Sequence, residues 1–235
     1  MIHFHHSYQI TLELTMSVSE AVSKRVSTRA FKNTPIPEAE LHAIFNDAQL
    51  APSNCNVQPW QVFIVSGEKK DALKNALIQE VMKGQPPKPD FDWVIRYDGI
   101  HKERQYGSAN TLYSALGIER DNKPARQMAM LKNWAFFDAP HVAFFTMNKP
   151  LGIMGAVDLG IYAQTLALLL TDKGYASCFQ GSLGQFPEPA KALFNLPEGS
   201  GILFGMSFGS ADEDAEVNSA KTDRAALSEA VTFIG

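Results

Sequence analysis

The sequence predicts an α+β protein, and three observations carry that expectation. Short apolar runs such as Trp60–Val65 and Val142–Met147 mix with longer amphipathic stretches, without the strict strand–helix–strand repetition of a doubly wound sheet. The stretch Gly152–Thr171 reads as a helix far more apolar than the others, as a central packing element would be. No internal repeat or long linker divides the 235 residues, which predicts one domain over 17–235 behind a flexible extension over 1–16.

The elements follow in order. His3, His5 and His6 fall in the extension and are read as part of a tail, with no metal assigned. Ser17 to Lys24 reads as a short helix. Pro35-Ile36-Pro37 starts a second, with Pro37 in its first turn and Glu38 and Glu40 at its positive end. Leu41, Ile44, Phe45 and Ala48 form its buried stripe, and Pro52 stops it. A strand over 60–65 precedes a helix from about Lys69 to Met82. The Pro-rich run Gly84–Pro89 then breaks all regular structure. From Phe91 to Asn122 the spacing predicts a loop and a helix over about 101–116, followed by a helix over 124–136 and a strand over 142–147. In the helix over 152–171, Gly152, Ala156 and Gly160 leave one face nearly bare, which lets another helix approach closely. Gly174 suits its C-terminal cap. Strands over 176–179 and 202–208 flank a helix over 187–194.

Composition narrows the function classes. Apolar residues make up 45% and charged residues 20% of the chain, as in soluble globular proteins. The net charge of −4 has no basic block behind it, so neither nucleic acid nor a membrane surface is an expected partner. Cys55 and Cys178 lie far apart and in no metal-ligand spacing, which fits a reducing cytoplasm. The N-terminus lacks the pattern of a signal peptide. The longest apolar stretch, Ile161–Leu170, falls short of the roughly 20 residues that span a bilayer.

Two motifs carry chemistry. The run Pro52-Ser53-Asn54-Cys55-Asn56-Val57-Gln58-Pro59-Trp60 packs four hydrogen-bonding side chains between prolines at the mouth of a strand. Such a stiff polar loop suits a flat polar ligand, although Asn and Ser also close turns on their own backbone. Upstream, Arg25-Val26-Ser27-Thr28-Arg29 offers guanidinium forks and hydroxyls. In an extended segment Arg25, Ser27 and Arg29 share one face, as a phosphate monoester requires. The competing reading is a solvated basic helix end paired with acidic neighbours.

Together these motifs resemble the signature of the FMN-dependent nitroreductase family. Three further stretches agree. Asp158-Leu159-Gly160 with Lys173-Gly174-Tyr175 looks like the family's central dimer helix and its glycine stop. Gly181-Ser182-Leu183-Gly184 is similar to the loop whose backbone N–H groups face the flavin. Arg224, with Lys221 near it, resembles a late arginine of the phosphate site. The segment over 84–122 looks like that of a nitrobenzoate-reductase-type branch.

The resemblance implies a mixed sheet flanked by helices in a domain-swapped homodimer with FMN at the subunit interface. Arg25, Val26, Ser27, Arg29 and Arg224 would hold the cofactor from one subunit, with Gly181, Ser182, Leu183 and Gly184. Pro52, Ser53, Asn54 and Asn56 would reach a flavin bound chiefly to the other subunit. No protein side chain is expected to be catalytic. NAD(P)H would reduce the flavin and leave, and a nitroaromatic or quinone would take its place in a ping-pong cycle. The same scaffold serves dehalogenating and dehydrogenating enzymes, and a flavin-binding redox sensor is the nonenzymatic alternative. Substrate choice is expected in the insert over 84–122, from Trp93, Tyr97, Tyr106 and Tyr113 with Arg96, Arg104 or Arg120, and from Phe136 and Phe137 beyond it.

Overall fold

A computed structural model describes residues 16–92 and 96–235. Its centre is a sheet of β1 (Gln61–Ser66), β2 (His141–Asn148), β3 (Ala176–Gln180) and β4 (Ser200–Gly209), in the order β1-β2-β4-β3. Every neighbouring pair is antiparallel, which corrects the expectation of a mixed sheet. The reason is where β4 inserts. The crossover through α6 (Gly152–Asp172) leaves β2 and β3 pointing the same way, and β4 lies between them and opposes both. Among the described residues the one parallel pairing is an isolated bridge between Ser27 and Ser177.

Strand β2 is buried on both faces until Asn148, which is why Val142–Phe145 reads as an unbroken apolar run. Its two-residue period sorts the core into two layers. Ala143, Phe145 and Met147 pack with Leu159, Tyr162 and Leu166 of α6 and with Ile44 of α2 (Glu38–Ala48). Val142 and Phe144 face the other way, toward Leu73 and Leu77 of α3 (Gly67–Met82), Trp134 and Leu183. Each such buried side chain contributes about 1.5–3 kcal/mol.

Local chemistry sets the helix ends. Ser17 and Glu20 cap α1 (Val18–Lys24) reciprocally, the Ser17 hydroxyl accepting from the Glu20 N–H at 3.2 Å. Pro37 stands one residue outside α2 rather than in its first turn, and its carbonyl accepts from the Leu41 N–H at 2.9 Å. Helix α4 covers Gly99–Ala115. The expected helix over 124–136 is shorter: α5 (Lys123–Leu131) stops five residues early. Phe136, Phe137 and Asp138 then take left-handed φ angles of 57°, 52° and 60°, a path no right-handed helix continues through. Gly174 ends α6 with a φ of +79°, as its expected capping role requires. Helix α7 covers Glu188–Phe194, and a last turn, α8, covers Leu227–Ala230.

Two expectations about α6 need separating. The helix is longer than its apolar run implied. It has length and mean hydropathy, 1.6 over a window of Lys149–Asp172, sufficient to cross a membrane. Here it packs in the core instead, with Leu159, Ala167 and Leu170 fully buried. Its other face is bare: Ile153 is 83% exposed, Val157 48% and Ile161 39%.

The insert over 84–122 is rooted by Asp90, whose carboxylate accepts from the Ile202 N–H at 3.0 Å, Lys149 Nζ at 2.9 Å and Lys191 Nζ at 3.1 Å. These bonds hold its carboxyl below the usual range although burial opposes them. Trp93 and the expected extension, apart from Met16, lie outside the described residues.

Candidate functional site

The segment after α1 becomes extended at Arg25, with ψ at 114°, and runs beside β3. The Thr28 N–H donates to the Ser177 carbonyl at 3.1 Å. The Arg29 N–H donates to Asn218 Oδ1 at 2.7 Å, and Asn218 Nδ2 returns a bond to the Ala30 carbonyl at 2.9 Å. Arg25, Val26, Ser27 and Arg29 are all half-buried.

Ser27 bridges Ser177 of β3, next in the chain to the Cys178 thiol. Burial pushes it up to about 11, while Arg29, Arg25 and a hydrogen bond with Ser27 pull the other way. Among the described residues neither arginine forms an ion pair with a carboxylate, so the reading of a surface basic end neutralised by acids does not hold. Two half-buried cations and a hydroxyl, with no acidic partner among the described residues, are donors of the kind an anion takes. The Ser177 hydroxyl beside them is buried without a hydrogen-bond partner, as is that of Ser182.

The polar loop has a mixed character. Cys55, Asn56 and Gln58 adopt left-handed φ angles of 49°, 55° and 46°. The Ser53 hydroxyl accepts from the Gln58 N–H at 2.9 Å, and Gln58 Nε2 donates to the Asn56 carbonyl at 3.2 Å. Self-closure thus explains Ser53 and Gln58. It leaves the side-chain amides of Asn54 and Asn56 exposed, with Pro52 also exposed at the loop's start. Trp60 seats the loop's end on the core, stacked on Tyr162 at 4.9 Å and bonded to Gln49 at 3.1 Å. Asp158, 2% exposed, seats its beginning by accepting the Asn54 N–H at 3.0 Å. Motif reading missed Asp158 as a partner of the loop; its signal was a carboxylate in an otherwise apolar helix.

The run Gly181–Gly184 forms a short 3-10 turn at the end of β3. Gly181 is exposed, Ser182 half-buried, and Leu183 and Gly184 buried, so Leu183 serves the core and the turn meets solvent at Gly181 and Ser182. Gly184 must be glycine, because a Cβ there would lie 2.5 Å from the Leu203 carbonyl. Asn133, Trp134 and Gln180 bond around this turn, and no sequence motif marked them.

Arg224 stands apart from the cluster's bonds within one chain. Its Nη1 donates to the carbonyls of Thr222 and Asp223 and to the Thr222 hydroxyl, and with Lys221 it lines a polar cavity against α4. Next to Arg29 lies a more apolar cavity of about 590 Å³ with Tyr113, Met128, Asn133 and Phe137 in its wall, within the size range of small-molecule sites. Phe137 therefore fits the expected apolar wall, whereas Phe136 is fully buried against Phe144. Tyr113 carries Arg126 over its ring at 4.6 Å, Arg104 pairs with Glu229 at 3.0 Å, and Tyr97 and Tyr106 are exposed. The described residues hold no cluster of three potential metal ligands.

Over most of its length the chain is similar to known proteins. The chain is 37% identical over 228 residues to the nitroreductase NfnB of Mycolicibacterium smegmatis, covering 95% of each. It is 32% identical over 222 residues to a 4-nitrobenzoate reductase of Pseudomonas putida, covering 94% of this chain and 97% of that one. Among solved structures it resembles the FMN-dependent NfnB from Mycobacterium smegmatis in complex with NADPH, with a TM-score of 0.88, 37% identity and coverage of 93% and 98%. The FMN- and NADPH-dependent NfnB from Sphigopyxis sp. strain HMH superposes with a TM-score of 0.90 at 34% identity, covering 94% and 100%. The pattern of the Nitroreductase family matches residues 22–210, most of the length over which the two motifs, the sheet and the central helix were traced, and the chain belongs to that family.

Proposed function

We propose that the chain is an FMN-dependent oxidoreductase that uses NAD(P)H to reduce nitroaromatic or quinone-type acceptors. The observation that carries this is the half-buried, extended run of Arg25, Ser27 and Arg29 along β3, with no carboxylate partner among the described residues and with Arg29 in the wall of the cavity. Their donors fit a phosphate. Relatives described as FMN- and NADPH-dependent support both the cofactor and NADPH as reductant.

When bound, FMN supplies the two-electron redox chemistry. The chain's own residues bind and orient. Arg25, Ser27 and Arg29 neutralise the phosphate. The turn at Gly181–Gly184 would offer backbone N–H groups to the ring, and Tyr113, Met128 and Phe137, in the cavity next to Arg29, would supply an apolar wall on the substrate side. No side chain of the site is needed as nucleophile or acid–base pair. NADPH and the acceptor use one face in turn, so initial rates at several acceptor concentrations should give parallel double-reciprocal lines.

We also read the enzyme as a homodimer. The exposed apolar stripe of α6, the outward amides of Asn54 and Asn56, and a tail ending in Phe233 at 84% and Ile234 at 94% exposure all support a second copy. Two free thiols, one exposed and one buried, suit a reducing cytoplasm. Neither a membrane nor a nucleic acid is assigned as a partner. The deciding experiment is purification followed by FMN titration, and then NADPH oxidation with 4-nitrobenzoate and a quinone. A yellow dimer that turns over both reductant and acceptor is expected. A protein that takes up no FMN would end this reading, and one that binds FMN without turnover would leave a sensor.

A further inference from the structure

We propose that Trp134 and Gln180 form a positioning clamp for the turn Gly181–Gly184, fixing how its exposed residue, Gly181, is presented. Presentation to the cofactor rests on the flavin reading above. Neighbouring residues of one segment grip the chain on both sides of Gly181. The Asn133 carbonyl accepts from Gln180 Nε2 at 2.7 Å, and Trp134 Nε1 donates to the Ser182 carbonyl at 3.2 Å. Gln180, 2% exposed, is held at its other end too, because the Ser207 hydroxyl donates to its Oε1. The Ser182 carbonyl takes a second bond from the Gln185 N–H at 3.1 Å. A peptide unit is planar, so fixing that carbonyl fixes the whole plane between Ser182 and Leu183. Gly181 stands between the two grips at the start of the 3-10 turn, where a backbone N–H has no acceptor within the helix.

The gripping segment is itself rigid. The Trp134 ring is 4% exposed and meets Phe186 edge-on at 5.9 Å. Directly after it come the three left-handed residues Phe136, Phe137 and Asp138. A conformation costing about 1–2 kcal/mol per residue persists only where the surroundings hold it. Here Phe136 and Phe137 are buried, Lys70 Nζ donates to the Ala139 carbonyl at 2.9 Å, and Lys132 pairs with Asp138 at 2.8 Å. The bend sets the direction from which Asn133 and Trp134 reach the turn.

Two variants test the clamp. Trp134→Phe keeps an aromatic ring and removes the donor. Ser207→Ala removes the donor to Gln180 and leaves the packing almost unchanged. In the FMN-free protein, hydrogen exchange at residues 181–185 should speed up about fivefold to tenfold in each, the size of one neutral hydrogen bond, with β1 and β2 as protected as before. FMN affinity, measured by fluorescence titration, should fall by a similar factor. Wild-type exchange at the turn in Ser207→Ala would overturn the clamp, whether or not Trp134→Phe folds. Faster exchange with unchanged FMN affinity would overturn its positioning role. If the wild-type protein takes up no FMN, the flavin reading fails and the presentation to a cofactor fails with it, while exchange still decides whether the turn is clamped.

Discussion

The arginine cluster and the polar loop are built on opposite plans. Residues 25–29 are laced to β3 and to Asn218 by backbone bonds, their side chains half-buried around Cys178. The loop at 52–60 is fixed at its ends, by Asp158 and Trp60, and leaves Asn54 and Asn56 in solvent between them. One region is bonded into the fold along its length; the other is anchored at its ends and exposed between them. A site assembled from both kinds of part separates affinity from assembly. On the homodimer reading proposed above, the half-buried part would hold charge in each chain and the exposed part would act against the second copy.

Breaking the finished half should cost most. Arg29→Ala or Arg25→Ala should weaken FMN binding by about 1.5–3 kcal/mol each, one charged hydrogen bond, seen as a right-shifted fluorescence titration. Folding stability should barely change, since neither guanidinium pairs with a carboxylate among the described residues. Next comes Gly184→Ala. A methyl group 2.5 Å from the Leu203 carbonyl forces turn and strand apart, at about 1–3 kcal/mol of stability, read from the urea midpoint.

The open half is sharpened by Asp158→Ala. The Asn54 N–H loses its acceptor, so the loop should loosen and FMN affinity should fall by about 1 kcal/mol. Global stability should fall by less than that one bond implies. The other carboxylate oxygen is buried without a partner, a cost that the substitution also removes.

The smallest expected effect is on pH. His141 Nε2 accepts the Ile36 N–H at 2.9 Å, so Nδ1 carries the proton and faces the Ser66 hydroxyl. Burial, and then the charge of Lys70, hold its pKa below 6.5. The unfolded chain therefore takes up the proton first as pH falls. This contribution to stability is complete above about pH 6.5, declines below it, and levels off beneath the native pKa. Urea midpoints between about pH 8 and 5 should show that decline, and His141→Gln should flatten it.

Much of this was legible in the sequence because it is local. Helix stripes and the two motifs each depend on residues a few positions apart, and the segment of Arg25, Ser27 and Arg29 is extended and half-buried as the alternation reading supposes. What escaped reading depends on distant partners. Nothing in Val142–Phe145 reveals that β4 inserts between β2 and β3, so neighbours that a crossover would make parallel became antiparallel. Nothing near Trp134 announces Ser182. The early stop of α5 has no proline or glycine to mark it; buried Phe136 and Phe137 impose that bend from the core. The Leu183 side chain belongs to that core, a fact a motif match cannot separate from its backbone.

The chain also carries its own pair of chemical clocks. Cys55 sits exposed in the loop, and Cys178 lies 2% exposed beneath the arginines with its thiol pushed up to about 11. In the single chain an alkylating reagent meets the first at once. It reaches the second only when the packing of Phe31, Phe137 and Ala139 around it opens beside the segment carrying Arg25 and Arg29, and then finds a protonated, sluggish sulfur. The lag between the two modifications therefore times that opening in unlabelled protein, with the faster thiol correcting for reagent and pH.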